Sequence, residues 1–351
     1  NVIAWSLSVW HSKPLHVLCH KFIINLINLY VFLLFFINFG IINLEVKILI
    51  YTVTFNPAID YVLKANSFEK NKINKSENEK IFPGGKGINV SIVLKNLEIE
   101  SMALGFIAGF TGNKIEEMIN ELGVKTEFIN LKNGNSRINI KIDSDNKETA
   151  INCSGPKIEK EELSTLIKKI EMLKDDDILV LAGSIPNGIE NNIYEIICER
   201  LQNKKIKVIV DATSNLLTNV LKYKPYLIKP NDEELSEIFN VEIKDENDAY
   251  IYAKKLQEQG AQNVVVSLGA KGALMIDSEK NKHFIKAPKG ERINTVGSGD
   301  SMVAGIIAGF ILDKTYEEIL KLGVACGSAT ACSKFLAEKS EIQKFYEMIK
   351  N

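Results

Sequence analysis

The sequence predicts an α/β fold, a mostly parallel sheet with helices on both faces, carrying a second and smaller β-sheet. Three observations predict it. From Ile158 onward, short β-branched runs alternate with stretches of helical period to the end of the chain. Such alternation places parallel strands under covering helices. The segment 46–54 is an apolar, β-rich run closed by Asn56-Pro57, which reads as a buried first strand. The polar stretches 61–82 and 126–153 alternate in short pieces, as strands of a flap or lid do rather than strands of a core.

The elements follow in order. Gly84-Gly85-Lys86-Gly87 opens a helix in which Ile88, Ile92, Val93 and Leu97 recur at helical spacing. Segment 102–106 reads as a strand, and 112–122 as a helix stopped by Gly123. Segments 126–131, 136–142 and 148–153 read as strands that pair with 61–82 in the second sheet. The regular part then runs helix 158–173, strand 178–182, helix 190–203, strand 207–210, helix 214–221 and strand 226–228. It continues with helices 232–239 and 246–259, strands 263–267 and 273–277, and helices 300–312, 316–334 and 339–349. In sheets of this kind ligands bind beyond the carboxyl ends of the strands.

Composition excludes several function classes. The 351 residues carry 43 basic and 44 acidic side chains, so no bulk charge favours nucleic acid or an anionic membrane. An anionic ligand would have to be held by a few placed cations and backbone amides. Cys19, Cys153, Cys198, Cys326 and Cys332 are odd in number and widely spaced. That fits a reducing cytoplasm rather than a disulfide or zinc framework. Of four histidines, only His283 lies beyond the first 20 residues, and no nucleophile motif accompanies it.

The first 45 residues differ from the rest. Residues 22–44 contain no charge and are long enough to span a bilayer, with Lys13 and Lys21 before them. The chain opens on Asn, and its Asn, Ile, Phe and Leu richness resembles translated AT-rich non-coding sequence. The expectation is an upstream artefact or disordered extension, with a membrane anchor or an amphipathic contact as alternatives. The domain proper is taken as 46–351, with lid segments at about 61–82 and 126–153.

Five segments could carry chemistry. Asn294-Thr295-Val296-Gly297-Ser298-Gly299-Asp300-Ser301 precedes an apolar helix. Its glycines allow a tight turn that aims N–H groups at one point, where the helix start adds partial positive charge. Asp300 stands at the mouth of that hole and could accept a hydroxyl proton. An ordinary capped helix start reads the same residues equally well. Pro83-Gly84-Gly85-Lys86-Gly87-Ile88-Asn89 lacks Walker A spacing, but it offers close backbone approach, a cation at Lys86 and an amide at Asn89.

Lys229-Pro230-Asn231-Asp232-Glu233-Glu234 puts Asn231 and Glu234 on one side of a first helical turn. They suit Mg²⁺ held through water, or simply a helix dipole. Ser267-Leu268-Gly269-Ala270-Lys271-Gly272 lies between two strands, as a nucleotide loop or a plain hairpin. Asp60, after the first strand, could bind sugar hydroxyls, and Arg137 could fork onto a phosphate. Either alone reads equally as a surface residue. No G-x-G-x-x-G follows the first strand, which disfavours an NAD-dependent oxidoreductase.

The order of these motifs resembles the PfkB (ribokinase-like) carbohydrate kinases over about residues 46–350. The stretches "YTVTFNPAIDYV", "GGKGINVS" and "VGSGDSMVAG" look like the branch that acts on fructose 1-phosphate, with the tagatose 6-phosphate branch next. The resemblance implies a ribokinase-like fold with a β-sheet lid that often serves dimerisation. It implies ATP and Mg²⁺, and fructose 1-phosphate going to fructose 1,6-bisphosphate. By position, Asp300 matches the base and Gly297, Ser298 and Gly299 the anion hole.

Asp60, Gly84, Gly85, Lys86, Asn89 and Arg137 match the phosphosugar site. Lys229, Asn231, Ser267, Gly269, Gly272 and Gly299 match the nucleotide site, and Asn231 with Glu234 the metal-linked pair. Many members carry Asp where Asn294 stands and Ala where Ser298 stands; neither departure removes a chemical role. A sugar-phosphate-binding protein that has lost catalysis is the rival of another class.

Overall fold

The computed structural model describes residues 48–349 apart from 67, 145–146 and 187, so the apolar run 22–44 lies outside the described residues. The strands are β1 (Ile50–Thr54), β2 (Ala58–Lys64), β3 (Asn78–Gly84), β4 (Met102–Ile107), β5 (Lys125–Asn130), β6 (Arg137–Ser144) and β7 (Lys147–Ile151). They continue as β8 (Ile178–Ala182), β9 (Lys207–Asp211), β10 (Leu227–Ile228), β11 (Asn263–Ser267), β12 (Ala273–Ile276) and β13 (Lys282–Ile285). The helices are α1 (Lys86–Asn96), α2 (Gly109–Glu121), α3 (Lys160–Glu171), α4 (Ile193–Leu201) and α5 (Ser214–Asn219). After them come α6 (Asp232–Phe239), α7 (Glu246–Glu258), α8 (Ser298–Ile311), α9 (Tyr316–Ala331) and α10 (Lys339–Met348).

Nine strands form the main sheet in the order β13-β12-β11-β10-β9-β8-β1-β4-β5. All neighbours from β11 to β5 run parallel, and β12 and β13 are antiparallel. The central strands read as unbroken apolar runs because both faces are covered: every residue of β8 and β12 is buried. Side chains still alternate between the faces. Ile178, Val180 and Ala182 join the core under α1 and α8 to α10. Leu179 and Leu181 join the core on the opposite face. Among the described residues no helix is long and apolar enough to cross a membrane.

Two expectations need correction. Segment 126–131 was assigned to the second sheet, but β5 pairs in parallel with β4 from Met102↔Lys125 to Ile107↔Asn130, at the edge of the main sheet. The reason is the helix before it. The chain leaves β4, runs through α2 and turns at Gly123 (φ +76°), which closes a parallel βαβ unit. Its alternation is that of an edge strand, not of a lid. Strand β13 was not foreseen; Lys-His-Phe-Ile is short and half polar, and it is held by its antiparallel ladder to β12.

The second sheet has the order β3-β2-β6-β7. Register places Asp60 beside Phe82 and Asn139, and Val62 beside Lys80 and Lys141. One face therefore carries Asp60, Phe82, Arg137, Asn139 and Lys141. The opposite face carries Tyr61, Leu63, Ile81, Ile140 and Ile151. That apolar face is open at Ile81, 43 % exposed, and Ile151, 52 % exposed, while Ile59 and Ile142 on it are buried. Phe82 stacks on Phe335 (centroids 4.5 Å apart, planes 10° apart), which joins this sheet to the segment after α9.

Candidate active site

The carboxyl ends of β1, β9, β10 and β11 converge with the starts of α1 and α8. Gly297 caps α8 in the left-handed region (φ +80°), where a side chain is strained. A Cβ there would also stand 2.6 Å from Leu336 Cδ2 and 3.4 Å from Asn89 Nδ2. Ser298 N–H donates to the Thr295 carbonyl (3.2 Å), so this amide is not free for a ligand. The N–H groups of Gly299 and Asp300 lie in the first helical turn and have no intrahelical acceptor. Asn294 Oδ1 accepts from Val296 N–H (3.0 Å), so the Asn side chain shapes the approach to the turn. Ser298 Oγ is buried and, among the described residues, has no hydrogen-bond partner.

Asp300 is 6 % exposed, and Oδ2 accepts from Asn89 Nδ2 at 2.7 Å. Asn89 lies on α1, so the Gly-Gly-Lys-Gly helix and the Gly-Ser-Gly-Asp helix meet at the proposed base. Burial, with the Asp211 carboxylate near, pushes the Asp300 carboxyl up to about 6; Lys86, Asn89 and Lys229 pull against that rise.

Asp211 ends β9 and is 1 % exposed. Lys86 Nζ donates to Oδ1 at 3.0 Å, and Lys229 Nζ stands 3.3 Å from Oδ2. The Lys229 contact brings the charges together without good hydrogen-bond geometry. Burial alone would raise the Asp211 carboxyl, but Lys229 and Lys86 hold it below the usual carboxylate range. Burial would likewise lower Lys86, yet Asp211, Asp300 and Glu234 raise it above the usual lysine range. The Lys86 ammonium therefore stays charged beside Asp211. A Cβ built on Gly299 would sit 3.3 Å from Lys229 Nζ, which places that cation directly against the turn.

The lid supplies the other wall. Asp60 accepts from Asn139 Nδ2 (Oδ1, 2.9 Å) and Lys141 Nζ (Oδ2, 2.8 Å). A Cβ on Gly84 would meet the Asp60 carboxyl carbon at 2.8 Å, so a larger residue there would displace that carboxylate. A Cβ on Gly85 would meet Thr54 Cγ2 at 2.6 Å. Arg137 Nε donates to the Asn56 carbonyl at 3.1 Å, and burial lowers its guanidinium from the ordinary range.

Asn231 and Glu234 close a capping box on α6. Asn231 Oδ1 accepts from Glu234 N–H (2.7 Å), and Glu234 Oε2 accepts from Asn231 N–H (2.9 Å). Asn231 also bridges Ser267 through the backbone, and this joins the ends of β10 and β11. Gly272 is fixed by the fold: φ is +113°, and a Cβ would lie 2.0 Å from the Ile285 carbonyl oxygen. Gly269 (φ +54°) has open space above it. Gly269 and Gly272 lie on the turn between β11 and β12.

The described residues contain no group of three or more His, Cys, Asp or Glu that could hold a metal. The arrangement does not fit a metal caged by protein ligands. The cap leaves Glu234 one carboxylate oxygen over, a hard donor of the kind Mg²⁺ accepts through water.

Two residues were missed in the sequence. Asp211 closes the apolar run of β9, and an acid at the carboxyl end of a buried parallel strand is the signal that was available. Lys141 lies two residues beyond Asn139 on the same strand face, where its period of two could have been counted.

Three comparisons bear on this geometry. Residues 52–342 match the family described as pfkB family carbohydrate kinase. A 1-phosphofructokinase of Bacillus subtilis is 41% identical over 302 residues, 86% of this chain and 99% of the relative. A D-tagatose-1-phosphate kinase of Bacillus licheniformis is 36% identical over 298 residues, 84% of this chain and 97% of the relative. Phosphofructokinase-2 from Escherichia coli in complex with substrates and products superposes with a TM-score of 0.82 at 28% identity, covering 87% of this chain and all of that one.

Proposed function

The chain belongs to the pfkB family of carbohydrate kinases, and from that premise we propose that it transfers the γ-phosphoryl group of ATP to the C6 hydroxyl of fructose 1-phosphate. The observation that carries the reading is Asp300 itself. It is a buried carboxylate held by Asn89 at the mouth of a two-amide hole, with the Lys229 ammonium against Gly299.

The acceptor hydroxyl is presented to Asp300, which takes its proton as the hydroxyl oxygen attacks the γ-phosphorus in line. The bond from that phosphorus to the β-bridging oxygen breaks. Fructose 1,6-bisphosphate and ADP leave, and the proton passes from Asp300 to solvent. The Gly299 and Asp300 amides, with Lys86 and Lys229, stabilise charge on the transferring group. Mg²⁺, when bound on the nucleotide phosphates, neutralises further charge there. Asp60, Gly84, Gly85, Asn139 and Arg137 orient the sugar from the lid side, and Asn231, Ser267, Gly269 and Gly272 face the nucleotide.

The relative that acts on D-tagatose 1-phosphate favours a second substrate of the same kind. Both sugars carry phosphate on C1 and a free hydroxyl on C6, and they differ in configuration at C4. Tagatose 6-phosphate has its C6 oxygen already esterified, so it is the weaker alternative. A coupled assay of ADP release across these sugars, fructose 6-phosphate and fructose tests the reading. The highest kcat/KM is expected for fructose 1-phosphate. A higher value for tagatose 1-phosphate would transfer the assignment to that sugar, and no ADP with any sugar would leave only a binding role.

We infer a second copy of the chain as partner, seated on the apolar lid face of Tyr61, Leu63, Ile81, Ile140 and Ile151. Sedimentation velocity is expected to give a dimer at micromolar concentration, and Ile81→Lys a monomer. A wild-type monomer, or an unchanged dimer in the variant, would remove the lid from the interface.

A further inference from the structure

Lys141, in the lid, belongs to none of the motifs. Register puts Arg137, Asn139 and Lys141 on one face of β6, alternating with Ile138, Ile140 and Ile142 on the other. Lys141 is paired across the sheet with Val62, yet its ammonium reaches back to Asp60, one rung nearer Arg137. Both side chains of the pair are only 14 % exposed. Both oxygens of the Asp60 carboxylate are engaged, Oδ1 by Asn139 and Oδ2 by Lys141.

Asp60 lies against Gly84, at the loop that leads into Lys86 and Asn89. Sugar hydroxyls that reach Asp60 compete with Lys141 for the same carboxylate charge, and Lys141 is the partner that carries a charge to pass on.

We propose that Lys141 is a phosphate-reading residue held in reserve by Asp60. A phosphosugar splits the pair, its hydroxyls taking the place of the ammonium on Asp60. Lys141 then moves onto the sugar phosphate beside Arg137. The exchange conserves charge: one carboxylate–ammonium contact is lost, and one phosphate–ammonium contact is gained. A sugar without phosphate would break the pair and leave Lys141 uncompensated, so the same residue selects against it. The proposal rests on the kinase reading and adds a specificity residue to it.

The test compares wild type, Lys141→Met and Lys141→Arg. It measures KM and kcat for fructose 1-phosphate, KM for ATP, and the unfolding temperature of each protein. Lys141→Met is expected to raise KM for fructose 1-phosphate at least about 10-fold, the loss of one charge-assisted hydrogen bond. KM for ATP should be unchanged and kcat within about 3-fold of wild type. Lys141→Arg should restore most of the affinity, because it keeps the charge.

If Lys141→Met lowers the unfolding temperature while KM stays at the wild-type value, the pair is a structural brace and the proposal fails. If KM for ATP rises equally with that for the sugar, the effect is not phosphate reading, and the proposal fails again. Wild-type turnover in the same experiment tests the kinase reading separately. If wild type turns over no phosphosugar, both fall.

Discussion

Asp300→Asn is expected to lower kcat at least about 100-fold while leaving both KM values within a few-fold of wild type. The replacement keeps shape and volume, and the Asn89 donor still finds an oxygen at that position. What it removes is the ability to accept a proton. Burial and Asp211 push this carboxyl up to about 6, so the wild-type enzyme should also show the titration of its base. The base works ionised. Activity is therefore full above about 6 and falls as the pH drops through that value. The acid limb of kcat/KM should follow, and it should vanish from the residual activity of Asp300→Asn. Near-normal kcat in the variant would remove Asp300 from the chemistry. A limb that persists in the variant would assign the titration to another group.

Asp211→Leu is expected to destabilise the protein by about 3–5 kcal/mol, because it leaves two ammonium groups without their shared carboxylate. Lys229 is 3 % exposed and cannot turn to water. Lys86, whose side chain is 36 % exposed, has more freedom and loses less. The measurement is the urea midpoint, with the slope checked for two-state behaviour. Activity should fall too, since Lys229, which stands against Gly299, and Lys86 lose the carboxylate that aims them. The double variant Asp211→Leu, Lys229→Met separates the two effects. It should recover much of the stability, because the stranded charge that cannot reach water is gone and Lys86 keeps a partly exposed side chain, and none of the activity. A single variant as stable as wild type would mean the triad is not a buried charge network. A double variant with restored turnover would mean Lys229 does not serve the transfer.

The parts of the site legible in the sequence are those whose physics is local. Gly297, Gly299 and Asp300 declare a tight turn into a helix within four residues, and α8 begins at Ser298. Asn231 and Glu234 declare a capped helix start, and the structure closes that box. The central strands of the main sheet were legible because they are buried on both faces and read as unbroken apolar runs.

Nonlocal geometry was less accessible. Asp211 meets Lys86 across 125 residues, and no spacing rule joins them. Lys141 is one of many lysines until the register of β2 and β6 sets it opposite Val62 and within reach of Asp60. Strand β5 has the alternation of the lid strands, and only its parallel pairing with β4 separates it from them. The resemblance put Ser298 in the anion hole with Gly297 and Gly299; the carbonyl of Thr295 takes the Ser298 amide, a bond across a turn whose shape depends on Asn294.

Single-turnover transfer from ATP to fructose 1-phosphate, followed by phosphorus NMR of the product, tests the central claim most directly. The account predicts one new phosphate ester, on C6, formed rapidly by wild type and at least about 100-fold more slowly by Asp300→Asn with both substrates bound. Transfer at the wild-type rate by that variant, or a new ester at any position other than C6, would contradict it.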